Sequence, residues 1–97
     1  MLTLAEVKEI LKGYKDEIRK RYKAEILGVF GSYARGEQNK KSDVDILVRF
    51  HEGATLFDLV ELGNFLEEKL GIRVDIVSEN AVREELRDRI EEDLVAL

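Results

Sequence analysis

Between residues 25 and 50 the chain reads Glu25-Ile26-Leu27-Gly28-Val29-Phe30, then Gly31-Ser32-Tyr33-Ala34-Arg35-Gly36, then six polar residues, then Asp43-Val44-Asp45-Ile46-Leu47-Val48-Arg49-Phe50. The first run is short and apolar, which suits a buried strand, and Gly31-Ser32 ends it. Tyr33-Ala34-Arg35 leaves room for one or two turns of helix before Gly36. The stretch from Glu37 to Lys41 is a polar loop. From Asp43 to Phe50 apolar and polar residues alternate. A second strand there sends Val44, Ile46 and Val48 to one face and Asp43, Asp45 and Leu47 to the other.

The flanking segments supply helices to cover that sheet. Upstream, Leu4, Val7, Ile10, Leu11, Tyr14 and Ile18 recur at helical spacing, and Thr3 with Glu6 has the pattern of a capping box, so a helix is expected from about residue 3 to 22. Downstream, Leu56, Leu59, Leu62, Phe65, Leu66 and Leu70 mark a second long helix. Gly71 stands where a left-handed residue commonly ends one. Ile72 to Val77 alternates again and predicts a third strand with Arg73 and Asp75 on its polar face. Val82, Leu86, Ile90 and Leu94 predict a last helix over 81–97, capped by Ser78 or Asn80. The expectation is an α/β (α+β) fold over residues 1–97 as one domain. Its order is α-β-α-β-α-β-α, with a three-stranded sheet and helices mainly on one face. Leu94, Val95 and Leu97 exceed what so small a core is expected to absorb and mark a candidate partner or dimer surface.

Composition narrows the chemistry. The 97 residues hold no cysteine and one histidine, His51, which is read as an exposed loop residue; a thiolate or zinc centre is therefore not expected, and any metal must be held by oxygen. With 16 Lys and Arg against 21 Asp and Glu the net charge is −5. That is the wrong sign for a general nucleic-acid binder, which relies on basic groups to release phosphate counterions. No apolar run reaches the roughly 18–20 residues of a membrane span, and the chain reads as cytoplasmic.

Asp43 and Asp45, two apart on one strand face, have Cα atoms about 6–7 Å apart, a spacing suited to shared cations. A pair of Mg²⁺ ions, with Mn²⁺ as the alternative, is the recurring device for in-line displacement at phosphorus and takes hard oxygen ligands. If the third strand lies beside the second, Asp75 completes the set. Gly31 permits close backbone approach and Ser32 opens a short helix, so this turn can hold a triphosphate. Arg35 would neutralise charge on a departing pyrophosphate, or else is a solvated surface charge. Ser42 either orients a carboxylate or closes the loop. Tyr33 is assigned to packing.

The run Gly31-Ser32-Tyr33-Ala34-Arg35-Gly36, six residues, then Asp43-Val44-Asp45-Ile46-Leu47-Val48 resembles the signature of the minimal nucleotidyltransferases, a branch of the DNA polymerase β-like superfamily. The Ala-Arg-Gly and Ser-Asp extensions point to the minimal branch. The resemblance implies a mixed sheet, metal binding and catalysis by Asp43, Asp45 and Asp75, and nucleotide contacts from Gly31 and Ser32, with Arg35 and Ser42 nearby. Members of that branch are similar to antitoxins paired with a helical HEPN-type ribonuclease toxin. This implies transfer of AMP from ATP to a toxin hydroxyl, expected to be a tyrosine, within a hetero-oligomer. Two alternatives stand beside it: neutralisation of the toxin by binding alone, and adenylylation of a small molecule of the aminoglycoside type.

Overall fold

The alternation at residues 43–50 is realised as strand β2 (Val44–Phe50), whose Val44, Ile46 and Val48 side chains have no exposed surface. All 97 residues are described by the structure, a computed structural model. Around β2 lie α1 (Leu4–Gly13), α2 (Lys15–Tyr22), β1 (Ala24–Phe30), α3 (Gly31–Arg35), α4 (Leu56–Leu70), β3 (Val74–Ser78), α5 (Glu84–Asp93) and β4 (Val95–Ala96). The sheet order is β3-β2-β1-β4, with β1 antiparallel to β2 and β4 and β2 parallel to β3. A mixed sheet follows from the connections: α3 and the loop after it, residues 31–43, reverse the chain between β1 and β2, whereas α4 carries it back so that β3 runs parallel to β2.

One face of the sheet packs against α1, α2 and α4. Val7, Leu11, Ile18, Leu62 and Leu66 join the β2 valines and Ile46 in a single cluster. Each such side chain contributes roughly 1.5–3 kcal/mol through burial. Phe65 ties three helices together, meeting Tyr14 edge-on at 5.4 Å and Tyr22 at 5.5 Å between ring centres. The Thr3–Glu6 capping box is present, with Glu6 N–H donating to Thr3 Oγ1 (3.1 Å) and Thr3 N–H to Glu6 Oε1 (2.9 Å). Gly71 ends α4 at φ +70°, the left-handed position that a residue without Cβ fills at little cost.

Several boundaries differ from expectation. The first helix is two, broken at Tyr14 (φ −106°, ψ 8°), where the Tyr14 N–H donates to Leu11 O in a tightened turn. Gly13 weakens the helix there, and the break coincides with the packing of Tyr14 onto Phe65. Strand β3 starts at Val74 rather than Ile72, and the last helix covers only Glu84–Asp93. The sheet has four strands, not three. After α5 the chain turns back and Val95–Ala96 pairs with Val29 and Gly28 of β1. Gly28 permits this, because a Cβ there would collide with the Val95 carbonyl. Leu94, Val95 and Leu97 are therefore half-buried, and Leu97 packs against the core. They form part of the fold rather than a free partner surface.

Candidate active site

The pairing register assembles the site. Phe30 of β1 is opposite Asp45 of β2, which is opposite Asp75 of β3. One line across three strands thus carries Phe30, Asp45 and Asp75, about 4.8 Å between neighbouring strands, with Gly31 just beyond the end of β1. Asp43 lies just before β2. Asp45 projects from the face opposite the main core, the face on which Leu47, Val82 and Ile90 line a small cleft.

Gly31 lies against Asp45. Its φ is +73°, and a Cβ built on it would fall onto Asp45 Oδ2. Both facts require glycine: the left-handed backbone turns the chain sharply from β1 into α3, and the missing side chain is the space the carboxylate occupies.

Asp45 is half-buried, while Asp43 and Asp75 are exposed. Burial pushes the Asp45 carboxyl up from 3.8 to about 6, Asp75 and then Asp43 add repulsion, and Arg35 partly opposes them. None of the three aspartates forms an ion pair within the protein. A compact set of acidic groups without an internal cation is a donor set matched to a hard divalent ion. The side chains are not drawn into a finished cage, since no three acidic groups converge to ligating distance.

Two clefts flank the aspartates. One, about 470 Å³, lies beneath α5 and includes Gly31 and Asp75 in its wall. The other, about 610 Å³, is on the Asp43 side and is lined by Tyr33, Lys40, Lys41, Ser42 and Arg73.

Of the residues singled out from the sequence, Gly31, Asp45 and Asp75 are brought together by strand register, and Arg35 is near enough to act on Asp45 electrostatically. Arg35 is also engaged elsewhere: its Nη1 donates to Asp93 Oδ2 at 2.6 Å and its Nε to Glu37 Oε2 at 3.3 Å. Ser42 closes the loop, its hydroxyl accepting from the Asn39 N–H at 2.9 Å. Ser32 opens α3 and is half-buried. Tyr33 is buried in the core. Asp93 was not legible in advance, because an acidic residue on a charge-rich helix has no local signature and only tertiary packing joins it to Arg35 58 positions away.

A mixed sheet presenting Gly-Ser beside facing aspartates on neighbouring strands, with a third two residues upstream, is the arrangement of a nucleotidyl-transferring enzyme. Residues 11–97 match the nucleotidyltransferase domain family, and the chain belongs to it. It is 44% identical over 96 residues to a candidate protein adenylyltransferase of Methanocaldococcus jannaschii, MJ0126, covering 98% of each chain. It is 48% identical over 83 residues to the protein adenylyltransferase MntA of Thermococcus cleftensis, covering 86% of this chain and 84% of that one. A solved structure described as a candidate minimal nucleotidyltransferase matches with a TM-score of 0.76 at 39% identity, over 99% of this chain and 97% of that one. A toxin–antitoxin structure with AMP-PNP matches with a TM-score of 0.65 at 30% identity, over 82% of this chain and 62% of that one.

Proposed function

We propose that this nucleotidyltransferase is the antitoxin of a toxin–antitoxin pair, and that it transfers AMP from ATP to a tyrosine hydroxyl of a HEPN-type ribonuclease toxin in the cytoplasm. The observation that carries the reading is Gly31, just after β1, set against Asp45, with Asp75 opposite that aspartate on β3. It gives a phosphate-approach point and two facing carboxylates on one surface. The relatives named protein adenylyltransferases and the AMP-PNP toxin–antitoxin structure support it.

In this reading Gly31 and Ser32 contact the triphosphate, with Arg35 and Ser42 alongside. Asp43, Asp45 and Asp75 would hold two Mg²⁺ ions, or Mn²⁺, which when bound supply Lewis-acid stabilisation of the attacking and leaving oxygens. Asp75, on the neighbouring strand, accepts the acceptor's proton. The hydroxyl oxygen bonds to the α-phosphorus, and the bond from that phosphorus to the α–β bridging oxygen breaks. Pyrophosphate departs with the electron pair, and Arg35 neutralises the charge that develops on it. The attached AMP adds bulk and negative charge to the toxin.

The test is to incubate the chain with its toxin, ATP and Mg²⁺ and weigh the toxin by mass spectrometry. A gain of one or more AMP groups, abolished by Asp43→Asn, is expected. Neutralisation of the toxin without mass gain, equally strong with Asp43→Asn, would establish inhibition by binding alone.

A further inference from the structure

The cleft beneath α5 has a direction, set by the connections at the two ends of the helix. The chain enters α5 from β3 through the turn Glu79–Ala81 and leaves it to form β4 beside β1. The helix therefore crosses the aspartate-bearing face from the β3 edge to β1, a span of about 10 Å that its ten residues, about 15 Å long, readily cover. At the β1 end Asp93 holds Arg35. At the β3 end the cleft is bordered by Ala81, Val82 and Arg83. Leu86, Arg89, Ile90 and Asp93, spaced i, i+3, i+4 and i+7, are the face that α5 turns to the cleft.

In-line displacement places the attacking oxygen and the leaving pyrophosphate on opposite sides of the α-phosphorus. With the triphosphate tail at Gly31 and Arg35, on the β1 side, the acceptor arrives from the β3 side, past Asp75. There the wall is apolar, formed by Val77, Val82 and Leu86, the last 48% exposed, and β3 is an edge strand. Two arginines, Arg83 and Arg89, also line this cleft, and neither takes part in any of the six ion pairs of the molecule. Most of the 16 cations of this chain make no ion pair; Arg83 and Arg89 are distinguished by lining the same cleft as Asp75.

We infer that the β3 end of this cleft is the acceptor seat, and that it takes a polypeptide segment in which the hydroxyl residue is flanked by acidic side chains, read by Arg83 at that end and by Arg89 midway along α5. The inference rests on the proposed protein-adenylylating reaction and names the chemistry of its acceptor. The apolar wall receives an aromatic acceptor ring. The arginines pair with flanking carboxylates, which would otherwise be repelled by Asp45 and Asp75.

The test needs no turnover. A fluorescein-labelled tyrosine peptide flanked by glutamates, and its counterpart with glutamines, are titrated onto the full chain and followed by anisotropy, while ATP affinity is measured separately with Mg²⁺ present. The acidic peptide should bind roughly tenfold tighter than the neutral one, and Arg83→Gln/Arg89→Gln should remove that preference with ATP affinity unchanged. Arg19→Gln, on α2, should keep the preference. Equal binding of the two peptides, or binding of neither, overturns the inference. A double variant that loses ATP affinity instead assigns the arginines to the nucleotide and overturns it as well. Transfer to the toxin failing while the peptide preference stands would sink the adenylylation reading and leave the seat intact.

Discussion

Asp45→Asn should make the protein more stable while abolishing its activity. Asp45 is half-buried, carries no internal cation, and has its carboxyl pushed from 3.8 to about 6 by burial and by Asp75 and Asp43. In the window between those two values the folded state binds more protons than the unfolded one, so stability falls as pH rises through it and the loss is complete above about 6. About two pH units would correspond to about 3 kcal/mol, which partial solvent screening reduces to about 1–2 kcal/mol. The amide keeps the shape and removes the charge. For a domain of this size the variant should melt about 5–10 °C higher at about pH 8 in chelator, and within a degree or two of the parent near about pH 3.5. Thermal melts of both proteins at the two pH values, with and without Mg²⁺, measure this. Added Mg²⁺ should raise the parent's melting temperature and leave that of the variant nearly unchanged. A variant that melts no higher than the parent at about pH 8, or a difference that persists unchanged at low pH, would refute the view that site electrostatics oppose folding.

Gly31→Ala sets a methyl group against Asp45 Oδ2 at a positive φ; nucleotidyl transfer should fall at least about a hundredfold, with stability reduced by about 1–2 kcal/mol in urea titration. Phe65→Ala removes the ring shared by Tyr14 and Tyr22 and should cost about 3–5 kcal/mol by chemical denaturation, with m unchanged. Asp93→Asn weakens the hold on Arg35 at a pair whose side chains are 27% and 44% exposed. It should cost under about 1 kcal/mol of stability yet tighten binding of a non-hydrolysable ATP analogue severalfold by calorimetry; weaker binding would show that Asp93 positions Arg35 rather than competing for it.

The site was legible because its geometry is largely local. Two aspartates at i and i+2 share a strand face whatever surrounds them, and glycine at 31 announces a backbone that other residues resist. The same local rule yielded the apolar face of β2, both long helical stretches, the Thr3 cap and the stop at Gly71, since hydrophobic period and capping chemistry act within one or two turns. Other features depend on partners distant in sequence. Strand register places Asp75 directly opposite Asp45 rather than one step aside. The kink at Tyr14 accompanies a ring on another helix. Burial is the main cause of the raised Asp45 pKa. The fourth strand was hidden because two residues carry no usable alternation, and Gly28 acquires its meaning only when the Val95 carbonyl lies over it. Arg83, Arg89 and Asp93 look like ordinary surface charges on a polar helix until the path of α5 lays them along the cleft. Periodicity and turn chemistry thus determined which groups the chain presents, whereas pairing and burial, which sum contributions from segments far apart in sequence, decided which of those groups meet.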